Sequence, residues 1–148
     1  MKFSRILVPI DGSETSWVAL DKAIDLAREH NARLRVIEVV DLGPVFRATI
    51  TAQSLVDIQT AIIRDCERDL ARAVELAQKA GVTAETALIN ASERHISTEI
   101  VEEAERWHAD LIMMGTHGRH GLERFFLGSV AEGVARAATV PVLLIRSA

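Results

Sequence analysis

The chain alternates between two patterns of apolar and polar residues. Ile6-Leu7-Val8-Pro9-Ile10 is an unbroken apolar run closed by Asp11-Gly12-Ser13. A run this short, ended by turn residues, predicts a strand buried on both faces. Pro9 near its end counts against the strand, because proline costs a ladder donor there. Over residues 14–30 the period changes. Val18, Ala19, Ala23, Ile24, Leu26 and Ala27 gather on one side, with Asp21, Lys22, Asp25 and Arg28 opposite. This is an amphipathic helix, and Asn31 reads as its stop.

Residues 34–40 predict a second strand, broken by Asp41-Leu42-Gly43-Pro44. Residues 45–52 carry no clear period. Leu55, Ile58, Ile62, Cys66, Leu70, Val74 and Ala77 then recur three or four apart, a helical stripe closed by Gly81. Residues 82–89 make a weaker third strand. Ile96, Ile100, Ala104 and Trp107 mark another helix. Leu111-Ile112-Met113-Met114 follows Asp110 as a fourth buried strand. Residues 129–138 read as a short helix and residues 142–145 as the last strand. Strict β-α alternation with apolar strands predicts an α/β fold: an open parallel sheet of five strands with helices on both faces. No repeat or linker divides the chain, so residues 1–148 read as one domain.

Apolar residues make up 49% of the chain and charged residues 26%, enough to fill a core and remain dissolved. That excludes disorder as the main state. The apolar runs fall far short of the roughly 20 residues that a spanning helix needs. A net charge of −4 argues against a surface that tracks nucleic-acid phosphates. Cys66 is the single cysteine, so no intrachain disulfide or paired-cysteine metal site can form. With only five apolar residues after Met1-Lys2-Phe3-Ser4-Arg5, a secretory core is not expected, and the cytoplasm is the expected compartment.

Five of the eight glycines, Gly115, Gly118, Gly121, Gly128 and Gly133, follow the fourth strand. Glycine there admits positive φ and lets a ligand approach backbone amides. Ser129-Val130-Ala131-Glu132 matches a capping box, placing a helix N-terminus and its dipole at the same spot. Arg119 and Arg124 could add charge-assisted bonds to phosphate. The plain alternative is a loop whose Ser129 only caps a helix. The turn Asp11-Gly12-Ser13 is not GxGxxG, and GxxxxGK[ST] is absent, which disfavours a dinucleotide site and excludes a P-loop.

The segment Gly115-x2-Gly118-x9-Gly128-Ser129 resembles the nucleotide loop of the universal stress protein family. The opening Ile6-Leu7-Val8-Pro9-Ile10-Asp11-Gly12-Ser13 is similar to the family's first strand and turn. Ala109-Asp110-Leu111-Ile112-Met113-Met114 resembles its fourth strand, and Pro141-Val142-Leu143-Leu144-Ile145 its last. The resemblance covers essentially the whole chain. It implies a Rossmann-like sheet ordered 3-2-1-4-5 that binds ATP, often with a divalent ion. Retention of all three glycines and Ser129 places the chain with the ATP-binding members. Carried over by position, Asp11 and Val39 would face the adenosine. Gly115, His117, Gly118, Arg119, Gly128, Ser129 and Val130 would surround ribose and phosphates. The stretch Asn90-Ala91-Ser92-Glu93-Arg94-His95 departs from the Gly-x-Pro pattern common in the family.

Asp11 could equally cap the helix that follows it. The five histidines form no helical pair, so a protein-built zinc site is not expected. Any Mg2+ or Mn2+ would be held mainly by phosphates and water. Trp17 and Trp107 read as packing residues, and Glu99, Glu102, Glu103 and Glu105 as a solvated helix face. Three functions stay open: an ATP-binding regulatory protein of the stress response, a slow ATPase or nucleotidyl or phosphoryl transferase, and a nucleotide-free interaction module. No catalytic residue is assigned. An unidentified protein partner is expected for the regulatory reading. In the order 3-2-1-4-5 the strand at residues 142–145 lies at an edge. Its apolar length suggests a homodimer joined there.

Overall fold

A computed structural model of the chain describes residues 1–48, 51–117 and 127–147. Five strands form one sheet: β1 (Arg5–Ile10), β2 (Arg33–Val40), β3 (Ala84–Asn90), β4 (Leu111–Gly115) and β5 (Val142–Ile145). They run parallel in the order β3-β2-β1-β4-β5, as expected. Ile6 stands beside Leu34 on one side and Leu111 on the other. The three central strands are therefore covered on both faces, which is why β1 and β4 run apolar without alternation, whereas β2 also carries Arg35 and the buried Glu38.

One face is packed by α1 (Glu14–His30) and α3 (Ala52–Lys79), whose Leu20, Ala23, Leu70 and Ala73 meet Ile6, Val8 and Val36. The other is packed by α4 (Ile96–Arg106) and α5 (Ser129–Ala137), whose Ile100, Ala104 and Val134 meet Leu7, Ile37 and Ile112. Alternate residues of one strand thus serve different cores. Asn31 ends α1 in the left-handed region at φ 54°, the cap expected of it. Gly81 takes φ +74° just beyond α3.

The chain also contains α2 (Gly43–Ala48), six residues for which the sequence pattern gave no period. The acidic run on α4 is not a uniformly solvated face. Glu99 and Glu103 are 8% and 3% exposed. Glu103 accepts from Arg35 Nε at 2.8 Å and pairs with Arg106, while Glu99 pairs with Arg94 at 2.9 Å. Buried carboxylates persist only with such partners. Trp107 packs at the end of α4, under the Arg5 guanidinium at 4.3 Å, and its indole N–H donates to Glu85. Among the described residues no helix is long and apolar enough to cross a membrane.

Candidate functional site

Because β1 sits between β2 and β4, the connections leaving β1 and β4 diverge to opposite sides of the sheet, and a crevice opens at the carboxyl ends of those strands. A cavity of about 360 Å³ lies there, within the size range of small-molecule sites. Asp11, Val39, Gly115, His117, Gly128, Ser129 and Val130, all singled out from the sequence, line it together. Gly118 and Arg119, the other two, lie outside the described residues, as does Arg124. Larger hollows of about 410 and 560 Å³ lie elsewhere, one by His108 and Thr139, the other by Trp17 and Arg72. The first has Ile112 as its one strand residue, and the second borders the start of α1 at Gly12 and Glu14 with no strand residue in its lining.

One wall of the cavity depends on where α5 begins. The capping box expected of Ser129 and Glu132 does not form. Gly128 is the N-cap, in an extended conformation with no side-chain cap, and Ser129 is the first helical residue. Glu132 pairs with Arg136 at 2.5 Å instead. The cause is a backbone contact. The Gly128 amide donates to the Thr116 carbonyl at 2.7 Å, which sets the register of the helix start. Helix geometry leaves the amides of Ser129, Val130 and Ala131 without intrahelical acceptors. These three residues line the cavity, so donors and the positive end of the helix dipole stand at its wall.

Gly115 serves packing as well as the cavity. A Cβ there would stand 2.6 Å from Thr15 Cγ2, so the missing side chain lets α1 close onto β4. Asp11 is half-buried, and its Oδ1 accepts from the Ser13 amide at 2.9 Å. It does not cap α1. That role falls to Ser13, whose Oγ accepts from the Ser16 amide at 3.2 Å. Asp11 therefore shapes the turn beneath the cap and borders the cavity. Val39 is half-buried at the end of β2. His117 shares a hydrogen bond of 2.9 Å with Thr116 Oγ1 through its Nδ1.

Sequence reasoning missed Ile96, Ile100 and Met114, which supply an apolar wall, and Ser16 and Thr116, which border it. The first three read as core because core and cavity lining share one stripe. The loop before α4 holds its departure from the Gly-x-Pro pattern by local bonds. Ser92 and Glu93 both take positive φ, 51° and 71°. Asp41 Oδ1 accepts from the amides of Glu93 at 3.3 Å and Gly43 at 3.0 Å, and Arg47 pairs with Glu93. Arg94 grips Glu102 at 2.5 Å, which holds that carboxyl below its ordinary range through the hydrogen bond.

Over residues 2–146 the sequence matches the model of the universal stress protein family. The universal stress protein MJ0531 of Methanocaldococcus jannaschii is 37% identical over 145 residues, 97% of this chain and 82% of the relative. The universal stress protein UspA from Lactobacillus plantarum superposes with a TM-score of 0.85 at 23% identity, covering 99% of each chain. A universal stress protein solved in complex with cAMP superposes at 0.69 with 26% identity, covering 100% of each. With its sequence matched from end to end and its sheet ordered as the motifs implied, this chain belongs to the universal stress protein family.

Proposed function

We propose that residues 1–148 act as a single adenine-nucleotide-binding domain of a cytoplasmic regulatory protein in the stress response, with ATP at the cavity described above. The observation that carries this reading is the meeting of two features at one crevice. An apolar slot formed by Val39, Ile96, Ile100 and Met114 suits a base, and the uncapped first turn of α5 suits phosphates. The solved relative in complex with cAMP supports an adenine nucleotide. Among the described residues no group of three or more His, Cys, Asp or Glu comes together to hold a metal. Mg2+ or Mn2+ arriving with ATP would take its ligands mainly from phosphates and water.

The proposed role is binding. Hydrolysis or transfer needs a group that aligns the attacking oxygen. Asp11, the one carboxylate lining the cavity among the described residues, spends an oxygen on the Ser13 amide. Bound ATP would act by stabilising one state of a partner-facing surface over another. Calorimetry with ATP and magnesium, and analysis of small molecules released on denaturing the purified protein, test the site. ATP at about a hundred times its dissociation constant should stabilise the fold by about 2.7 kcal/mol. Neither saturable binding nor thermal stabilisation by any adenine nucleotide would sink the proposal and favour a nucleotide-free module.

We also propose a homodimer through β5. That strand is at the sheet edge, its Leu143 is 43% exposed, and Val142 and Leu144 are only half-buried. An apolar edge of this kind is normally paired or covered.

A further inference from the structure

Building on the reading of the cavity as a nucleotide site, we propose that His117 is the side chain that reads the ligand's phosphate, and that binding takes up a proton on its ring. His117 lines the cavity just beyond β4. One ring nitrogen is committed, since Nδ1 lies 2.9 Å from the hydroxyl of Thr116, itself 4% exposed. The other, Nε2, is shut off from bulk water and meets no hydrogen-bond partner among the described residues. Leaving a buried polar atom in this state is costly, and such atoms call for a specific explanation. A ligand in the cavity supplies one.

Phosphate oxygens only accept, so Nε2 must donate. A neutral ring can do this if Nδ1 accepts from the Thr116 hydroxyl. A charged ring can do it as well, with Nδ1 donating to the same hydroxyl. A hydroxyl serves either way, so the Thr116 contact survives both charge states and selects neither. The group placed at Nε2 then decides, and an anion favours the imidazolium. Histidine ordinarily titrates near pH ~6.5. The ring's pKa rises on binding, so a fraction of a proton is taken up near neutrality. Affinity is highest below the unliganded pKa and falls as pH rises through the bound one. A rise of one unit corresponds to about tenfold in affinity.

Other charged groups stand on the surrounding elements. Asp11 follows β1, and Glu14 is exposed in the first turn of α1. Glu99 of α4 is tied to Arg94, Glu132 of α5 is tied to Arg136, and exposed Arg146 follows β5. Glu38 of β2 is buried next to Val39, and exposed His95, the N-cap of α4 beside Ile96, is a second imidazole that His117→Gln leaves in place. Carboxylates and guanidinium groups ordinarily titrate outside the window from about pH 6 to 9, where the effect is to be read.

The test is calorimetry of cyclic AMP binding across that window, in two buffers of unlike ionisation enthalpy. Cyclic AMP is a phosphodiester and exchanges no proton of its own there. The wild-type chain should take up a fraction of a proton near pH 7, with affinity falling by about tenfold as the pH rises. His117→Gln keeps an N–H donor of similar reach and cannot titrate. It should bind with a flat pH profile and no uptake, and adenosine should give no uptake with either protein. If ATP binds and cyclic AMP does not, the difference between wild type and His117→Gln cancels the ligand's own titration. Wild-type binding without uptake overturns the inference, and so does uptake that persists in His117→Gln. Failure of cyclic AMP and ATP alike to bind overturns the cavity reading itself, a separate and recognisable result.

Discussion

Gly128 and Thr116 touch through one oxygen: the Gly128 amide donates to the Thr116 carbonyl at 2.7 Å, and a Cβ on Gly128 would stand 2.9 Å from that same atom. The contact joins the end of β4 to the start of α5 and so sets the distance between the two walls of the cavity. The backbone of Gly128, at φ −62° and ψ 155°, is open to any residue. The demand for glycine at this position is one of space.

Gly128→Ala should therefore act by overpacking. The expected cost is about 1–3 kcal/mol of stability, because the added methyl group must push the Thr116 carbonyl aside. Nucleotide affinity should drop by at least about tenfold, since the amides of α5 move with the helix start. Thermal melts and calorimetry on the same preparation measure both. Unchanged affinity in a folded Gly128→Ala protein would show that the walls are not coupled through this contact.

Ser129→Asp separates binding from folding. Ser129 is exposed, at the first position of α5. A carboxylate there should stabilise the helix by about 0.3–1 kcal/mol through the dipole. The same charge should repel a phosphate. At about 4 Å and an effective dielectric near 20, two unit charges interact by about 4 kcal/mol before salt screening. The expected outcome is an equal or higher melting temperature with at least about tenfold weaker binding of ATP. Equal affinity would move the phosphates away from this helix end.

The loop before α4 offers a pH-dependent check. Arg94 holds the Glu102 carboxyl below its ordinary value of 4.5, chiefly by a hydrogen bond, and the Arg94 guanidinium is raised in turn. A depressed carboxyl contributes stability above its ordinary pKa and loses it as pH falls through the lowered one. Both groups are exposed, so the effect on global stability should be small. Arg94→Ala should return the Glu102 titration toward 4.5, read by NMR. No upward movement would mean that the pair does not persist in solution.

The two-sided sheet and its helix faces could be read in advance because β1 and β4 are almost entirely apolar, and only a sheet covered on both faces buries such runs. The strand order followed from the family resemblance of the glycine loop and the flanking strands. The glycines and Asp11 marked the correct end of that sheet. The rest depended on contacts between residues far apart in the chain. Glu99 and Glu103 lie four apart on the stripe of Ile96 and Ile100, yet their burial rests on Arg94 and Arg35, and Arg35 belongs to strand β2, far from α4 in the chain. The cap at Gly128 depends on the Thr116 carbonyl, which no local pattern reveals. Helix α2 is six residues long, too short to establish a period.

The β5 dimer can be tested through the direction of its backbone groups. The Ile112 amide donates to the Pro141 carbonyl, and the Thr116 amide to the Ile145 carbonyl. Residues 141 and 145 therefore turn their backbone toward β4. By strand alternation Leu143 does the same, while Val142 and Leu144 turn their N–H and C=O groups to the open edge. Leu143→Pro would therefore break the sheet itself. Leu144→Pro removes an outward donor, and proline is tolerated at a sheet edge in that orientation. Light scattering should give the wild-type chain about twice its monomer mass of 16.2 kDa. Leu144→Pro should give a folded monomer with nucleotide binding retained, because the cavity lies at β1, β2 and β4. A wild-type monomer at tens of micromolar would reject the dimer, and a Leu144→Pro protein that remains dimeric would place the interface on another face.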